Sequence, residues 1–326
     1  MIHFLQLPDL LILEVFSHLN VKEICIISRV CKRWNKIAKD KSLWRRIDMT
    51  DARINLKKAW KFYRSRLSDC LQKLCMRGYY SPGDAVKQKK AVLSDALLED
   101  IHTSCPNIEE IVLEKFYLGS ISSSKLPSSL VCLRLSHCQW PIGWMKGAEL
   151  PNLRSLYVDH CSRIDNGELK EFFKLSSVEL LHLGHLYRVK TEGIQGLTES
   201  MTQLKNLTLC NMNVDDLAVH HICRNLKQLN RLTVTECELS DAAVDNMFVS
   251  LKELRVLDIS KNKNLTGEII ALSAKSKGLQ KLVYRLDPKL INKDALDCIE
   301  NRFPGRCCNT FVSEYNCPLP VKPEGT

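Results

Sequence analysis

No stretch of this chain approaches the roughly 18 uninterrupted apolar residues that a membrane-spanning helix needs. No low-complexity tract interrupts the 326 residues, and a make-up of 45% apolar and 26% charged residues is that of a folded, soluble chain. Residues 1–15 are apolar but broken by Pro8, Asp9 and Glu14. They lack the basic start and small-residue cleavage site of a secretory leader, and they lack the Arg- and Ser-rich character of a transit peptide, so neither is expected. Enzyme signatures are missing too. There is no Walker A loop, no Gly-x-Gly-x-x-Gly, no His-Glu-x-x-His and no Gly-x-Ser-x-Gly, so no catalytic residue is assigned and a non-catalytic protein is expected.

Cysteine is plentiful, at 15 residues, but no two stand in Cys-x-x-Cys spacing. The cluster Cys298, Cys307, Cys308 and Cys317 therefore offers no zinc site by spacing, and RING-like pairs are absent. Without a secretory leader, these thiols are expected to stay reduced, in cytoplasm, nucleus or both.

What the chain has in abundance is one hydrophobic spacing, Leu-x-x-Leu-x-Leu. Its nine copies are Leu71-Leu74-Met76, Ile108-Ile111-Leu113, Leu130-Leu133-Leu135, Leu153-Leu156-Val158, Val178-Leu181-Leu183, Leu204-Leu207-Leu209, Leu229-Leu232-Val234, Leu254-Leu257-Ile259 and Leu279-Leu282-Tyr284. Their first anchors are separated by 37, 22, 23, 25, 26, 25, 25 and 25 residues. A period of this size predicts a leucine-rich repeat solenoid of α/β class, with parallel strands inside and helices outside, in which each repeat buries its face only against its neighbours. Outer helices are expected over 166–173, 191–200, 215–225, 240–251 and 266–277, with caps at Thr191-Glu192, Ser240-Asp241 and Thr266-Gly267-Glu268. Another helix is expected from about Ser94, after a Gly/Pro loop. The stretch 139–150, with Pro141, Gly143 and Gly147, is expected to be a loop or a single turn, where Trp140 and Trp144 serve either as a plug for the missing helix or as an exposed knob. Cys138, Cys161, Cys237 and Asn262 share the slot where the repeat turns out of its strand, which makes these thiols structural.

The N-terminal quarter has a different pattern. Leu11, Val15 and Leu19 share a helical face flanked by Leu7, Ile12 and Phe16, and Pro8 suits a helix start. Asn20 with Glu23 resembles a capping box, and a break is expected near 28–31. So much apolar surface on so short a bundle implies cover from a partner or from the solenoid. Residues 1–80 hold 17 Lys/Arg against 7 Asp/Glu, whereas the other 246 hold 30 of each. That basic field is either a solvated face or a surface for acidic partners or nucleic acid.

Leu7-Pro8, the Leu11/Leu13/Phe16/Leu19 series, Val30-Cys31-Lys32-Arg33-Trp34 and Ser42-Leu43-Trp44-Arg45 together resemble an F-box, over residues 7–49. An F-box ahead of leucine-rich repeats resembles the F-box/leucine-rich-repeat class of substrate receptors. The resemblance implies docking on a Skp adaptor, and through it on the cullin and RING subunits of an SCF ubiquitin ligase. It implies adaptor contacts at Leu7, Pro8, Leu11, Leu13, Phe16, Leu19 and Trp34, with intrabundle packing as the other reading of Trp34. The expected organisation is an F-box over 1–49, a basic helical connector over 50–70, about nine repeats over 71–301 and a tail over 302–326.

The concave face is the expected substrate surface. One register there places His137, His160 and His185 on successive repeats, with Arg134, Tyr157, Asp159 and His182 close by. Strands about 4.8 Å apart would stack these imidazoles as a ladder. The cluster reads as an ordinary polar rim, as a partner hot spot or as a metal site. No spacing demands a metal, so no cofactor is assigned.

Overall fold

The computed structural model describes residues 7–52, 55–81, 92–266, 268–276 and 278–284. The C-terminal tail and the end of the expected repeat region before it, with Cys298, Cys307, Cys308 and Cys317, most of the Gly/Pro loop at 82–91 and the last expected helix turn at residue 277 lie outside the described residues.

Ten parallel strands follow one another in chain order: β1 (Arg46–Met49), β2 (Lys73–Arg77), β3 (Glu110–Glu114), β4 (Cys132–Ser136), β5 (Ser155–Asp159), β6 (Leu180–Gly184), β7 (Asn206–Cys210), β8 (Arg231–Thr235), β9 (Val256–Asp258) and β10 (Lys281–Val283). The spacing of the anchors sets the register. Leu133 pairs with Leu156, Leu156 with Leu181, Leu181 with Leu207, and Leu207 with Leu232. In β3, β4, β5 and β7 burial alternates along the strand, with anchors buried and the residues between them half-exposed. That is the period-2 geometry of a strand. Each fully buried leucine contributes about 2 kcal/mol relative to exposure, so the strength of the array is the sum of many equal increments.

β1 extends the sheet before the first expected triplet. Trp44, Ile47 and Met49 reproduce the anchor spacing with Trp in the first slot, and Ile47 and Met49 pair with Leu74 and Met76. The sheet therefore begins inside the N-terminal region. The connector helix α4 (Leu56–Arg64) tightens that joint. From the turn after it, the Arg66 guanidinium lies 4.4 Å from the Trp44 ring centroid and 4.3 Å from that of Phe62. Lys41 pairs with Asp69 at 3.1 Å across the same joint.

The N-terminal helices are α1 (Asp9–Ser17), α2 (Val21–Ile27) and α3 (Lys32–Ile37). Pro8 is the residue just before α1. The Asn20–Glu23 capping box forms in both directions, and the expected break falls between α2 and α3. Outer helices follow the strands: α5 (Asp95–Ser104), α6 (Asn166–Leu169), α7 (Thr191–Ser200), α8 (Asp216–Asn225), α9 (Asp241–Ser250) and α10 (Glu268–Leu272). The expected caps at Thr191 and Ser240 do not close on their own helices. Instead these positions bind a neighbouring repeat, the preceding one for Ser240 and the following one for Thr191. Ser240 N–H donates to Asp216 at 2.9 Å and the Thr191 hydroxyl to Asp215 at 3.0 Å. Thr266 does both, since its N–H donates to Asp241 at 2.9 Å while its hydroxyl accepts from Glu268 N–H at 3.3 Å.

Where the helix is missing, Trp140 and Trp144 are buried, 5.0 Å apart and edge-on, and Trp140 packs on Phe172. They plug the convex side. None of the helices in the described residues is long and apolar enough to cross a membrane.

Candidate functional site: an apolar N-terminal face and a polar concave strip

The three N-terminal helices are too short to bury both of their faces. Ile12, Phe16, Val21 and Ile24 enter the core, and Phe16 meets Trp34 edge-on at 5.5 Å. Leu10 is left 78% exposed and Val30 61%, and Leu11, Val15 and Ile26 are exposed as well. Among the expected adaptor contacts, Pro8 and Leu11 stand in solvent, while Leu7, Leu13, Leu19 and Trp34 are half-buried against the core. Phe16 lies beneath this face, not on it, and supports it from inside. Sequence reasoning left Leu10, Ile26 and Val30 out of the adaptor contacts, although Val30 belongs to the motif that carries the resemblance. Their signal was excess: more apolar positions than one stripe of a short helix can bury.

The concave strip is built from the half-exposed positions of successive strands. Arg134 sits over Tyr157 with its guanidinium carbon 3.9 Å from the ring centroid, and its Nε lies 2.8 Å from Glu110 Oε1. Lys73 reaches the other oxygen of Glu110 at 2.9 Å. Burial pushes the Glu110 carboxyl up, but the bonds and charges of Lys73 and Arg134 outweigh it and hold the group below the usual carboxylate range. Tyr157 leans toward His182, 5.8 Å away. His182 is buried, and desolvation depresses its basicity. It therefore lies under the strip as a neutral ring and not on its surface.

At the strand exits the expected ladder exists. Lys115, His137, His160, His185, Asn211, Glu236 and Lys261 all adopt left-handed backbone, with φ between 49° and 61°. A non-glycine residue there costs about 1–2 kcal/mol. The repeat offsets this with a bond to the next strand: His137 N–H donates to Asp159 O at 2.9 Å, His160 N–H to Gly184 O at 3.1 Å, and His185 N–H to Cys210 O at 2.9 Å. The shared turn stacks the imidazoles, with ring centroids 4.2 Å apart for His137–His160 and 3.6 Å for His160–His185. Desolvation, and then the charge of His160, depress His137. Asp159 lies between two rings, 2.8 Å from His160 Nδ1 and 2.9 Å from His185 Nδ1. Burial pushes its carboxyl up, and the hydrogen bonds from His185 and His160 more than reverse that.

Residues 4–50 match the F-box-like family model, which spans α1 to α3 and strand β1. This segment is an F-box-like domain. The chain is also 31% identical over 216 residues to the F-box/LRR-repeat protein 12 of Mus musculus, a match covering 64% of this chain and 65% of that one. The Homo sapiens protein of that name matches at the same identity and coverage, and the Bos taurus one is 30% identical over 218 residues, covering 65% of this chain and 66% of its own length. The match thus spans slightly less than two-thirds of each relative. Of solved structures, an internalin C2 from Listeria monocytogenes aligns at a TM-score of 0.40 and 16% identity over 58% of this chain and 74% of its own, too loosely to carry an argument. The fold rests on the ten-strand register itself: an F-box-like domain whose last strand opens a parallel repeat array.

Proposed function

We propose that this chain is the substrate-recognition subunit of an SCF-type cullin–RING ubiquitin ligase, itself non-catalytic. The F-box-like domain, with residues 1–49 as its extent, docks the Skp adaptor. The repeats over 71–301 hold a protein substrate on their concave face, and the connector over 50–70 fixes the distance between the two. The observation that carries the reading is the exposed apolar face of Leu10, Leu11, Val15, Ile26 and Val30 on a domain that matches the F-box-like family. Exposed apolar anchors on helices are what a helical adaptor covers, and the expected contacts Leu7, Pro8, Leu13, Leu19 and Trp34 border or underlie them. Rigid coupling at Arg66 and Trp44 suits a receptor that presents lysines to a separate enzyme, since acceleration then comes from holding the reactants near each other. On this reading the working compartment is cytoplasm, nucleus or both.

Substrate contact is proposed along Arg134, His137, Tyr157, Asp159, His160 and His185, with His182 supporting from below. The experiment is affinity capture of the full chain from cells, with Leu11→Glu and Val15→Glu introduced together. Both side chains are exposed, so the fold survives the charges. The expected outcome is loss of adaptor, cullin and RING protein with the repeat array intact. Recovery of all three by the variant, or salt-sensitive retention on nucleic acid with no adaptor in the wild type, rejects the proposal.

A further inference from the structure

We propose that Asp159, His160 and His185 form a binding site for a divalent transition-metal ion of the zinc type, at the rim of the concave face. One ligand atom from each of the three lies within 4.8 Å of the others. Both imidazoles turn the same nitrogen, Nδ1, to one carboxylate: His160 to Asp159 Oδ2 at 2.8 Å and His185 to Asp159 Oδ1 at 2.9 Å. Hydrogen bonding holds the three donor atoms together across two repeats, at the spacing that one ion needs.

Two features bring the three groups together without a bound ion. The first is the backbone. His160 and His185 sit in the left-handed turn that seven repeats share, at φ 51° and 55°, so their positions are set by the solenoid and not by a bound group. The second is Gly184. A Cβ at this position would lie 2.3 Å from Asp159 Oδ1 and 3.2 Å from its Cγ. The equivalent residues of the other described five-residue strands are Arg77, Glu114, Ser136, Asp159, Cys210 and Thr235, all bearing side chains. The side chain is missing at the one place where the Asp159 carboxylate crosses to the next repeat.

The donor set is two imidazoles and one carboxylate, which suits zinc, cobalt or nickel and not magnesium. Each neutral ring would bind through Nδ1 with its proton moved to Nε2, so no charge leaves the ring, and the carboxylate exchanges two hydrogen bonds for bonds to the ion. Side-chain exposures of 31% for Asp159, 36% for His160 and 19% for His185 leave the ion reachable from solvent, with coordination positions free for water. His137, stacked on His160, lies outside the triad. The site stands whether or not the N-terminal domain docks an adaptor.

The test uses the full chain stripped of metal and titrated with Zn²⁺, Co²⁺ and Mg²⁺ by calorimetry and visible absorption. Cysteines are a competing source of sites, and Co²⁺ separates them, because thiolate ligation adds a charge-transfer band that imidazole and carboxylate do not. The wild type should bind one more equivalent of Zn²⁺ and Co²⁺ than His160→Gln/His185→Gln, and the difference spectrum should lack the thiolate band. Gly184→Ala keeps all three ligands but displaces Asp159, and should weaken that equivalent about tenfold or more. Zn²⁺ should raise the Tm of the wild type and not of the double variant. Circular dichroism checks that each protein is folded, with Asp159→Asn replacing the double variant should that one not fold. Equal stoichiometry and affinity in wild type and ligand variant, or Mg²⁺ bound as tightly as Zn²⁺, overturns the site.

Discussion

Arg134 is held by two neighbours at once: its guanidinium stacks 3.9 Å from the Tyr157 centroid while its Nε lies 2.8 Å from Glu110. The three residues belong to successive strands at or beside one register, so the repeat itself supplies the geometry. Removing Arg134 does not orphan Glu110, because Lys73 still reaches it at 2.9 Å. The cost of Arg134→Ala is therefore expected at about 1–2 kcal/mol, below the 3–5 kcal/mol typical of a stranded buried charge. A double-mutant cycle of Arg134→Ala with Tyr157→Leu, read by urea unfolding, should return a coupling of about 0.5–1 kcal/mol. Additive effects would show that the stacking contributes nothing.

The titratable groups of the strip predict how stability follows pH. His182 is buried and its basicity is depressed by desolvation, against a smaller opposing pull from Asp159, with Arg134 and His185 adding to the depression. A base depressed in the fold is stabilising above its unfolded value and loses that contribution as pH falls through it. Decline should thus begin as pH drops below 6.5, the ordinary imidazole value, at no more than about 1.4 kcal/mol per pH unit from this group. Glu110 and Asp159 are carboxyls held below their ordinary values of 4.5 and 3.8, so they add stability above those values and lose it in stronger acid. Both effects run the same way, and unfolding midpoints should fall in two stages, the first below pH 6.5 from His182 and the second below pH 4.5 from the carboxyls. His182→Gln should flatten only the upper part of that fall. An unchanged slope between pH 7 and 5.5 would remove His182 from the account.

Much of this architecture was legible in the sequence because the repeat period fixes register. Once Leu133, Leu156 and Leu181 are aligned, the stacking of His137, His160 and His185 follows from strand spacing alone. Helix starts were legible where a local cap existed, as at Ser94, whose side chain accepts from Leu97 N–H. Strand β1 was hidden because Trp44 occupies the first anchor slot, inside a segment with helical character. The bridging role of Asp159 was hidden because it depends on a rotamer that leans across Gly184, and no spacing rule encodes that. The exposed face of Leu10 and Ile26 was hard to separate from the core face, since on helices of seven to nine residues both faces are apolar, and Val30 lies in the turn that follows the second helix.

Glu168 is a buried carboxylate that serves the helix-poor repeat. It accepts from the Trp140 indole at 2.9 Å and from Gly143 N–H at 2.7 Å, and so ties α6 to the loop that stands in for a helix. Glu168→Ala strands the Trp140 indole in the core and leaves the half-buried Gly143 N–H without its acceptor, and should cost about 2–3 kcal/mol. Glu168→Gln keeps one acceptor oxygen and should cost about half as much. Because Trp140 is packed there against Trp144 and Phe172, the Ala variant should also lose near-ultraviolet dichroism from the indoles. An Ala variant as stable as the wild type would show that water or another acceptor replaces the carboxylate.

The slot shared by Cys138, Cys161, Cys237 and Asn262 offers a direct comparison of thiol and amide in one structural role. Cys161 is a small buried side chain whose thiol lies 3.4 Å from Asp159 O, a weak bond, and its Cys138 neighbour and its burial push its ionisation well above the ordinary thiol range. Asn262 makes three bonds: Nδ2 to Val234 O and to Ile259 O, both at 2.7 Å, and Oδ1 from Cys237 N–H at 2.8 Å. Cys161→Ala should therefore cost about 1 kcal/mol, mainly lost apolar contact. Asn262→Ala abandons two carbonyls and one N–H in the interior and should cost about 3 kcal/mol or more. Placed late in the array, that loss should fray the described C-terminal strands β9 and β10 before the centre, which hydrogen exchange resolves strand by strand. Equal costs for the two substitutions, or uniform exchange along the array, would show that the slot is held by the leucine anchors and not by its own polar contacts.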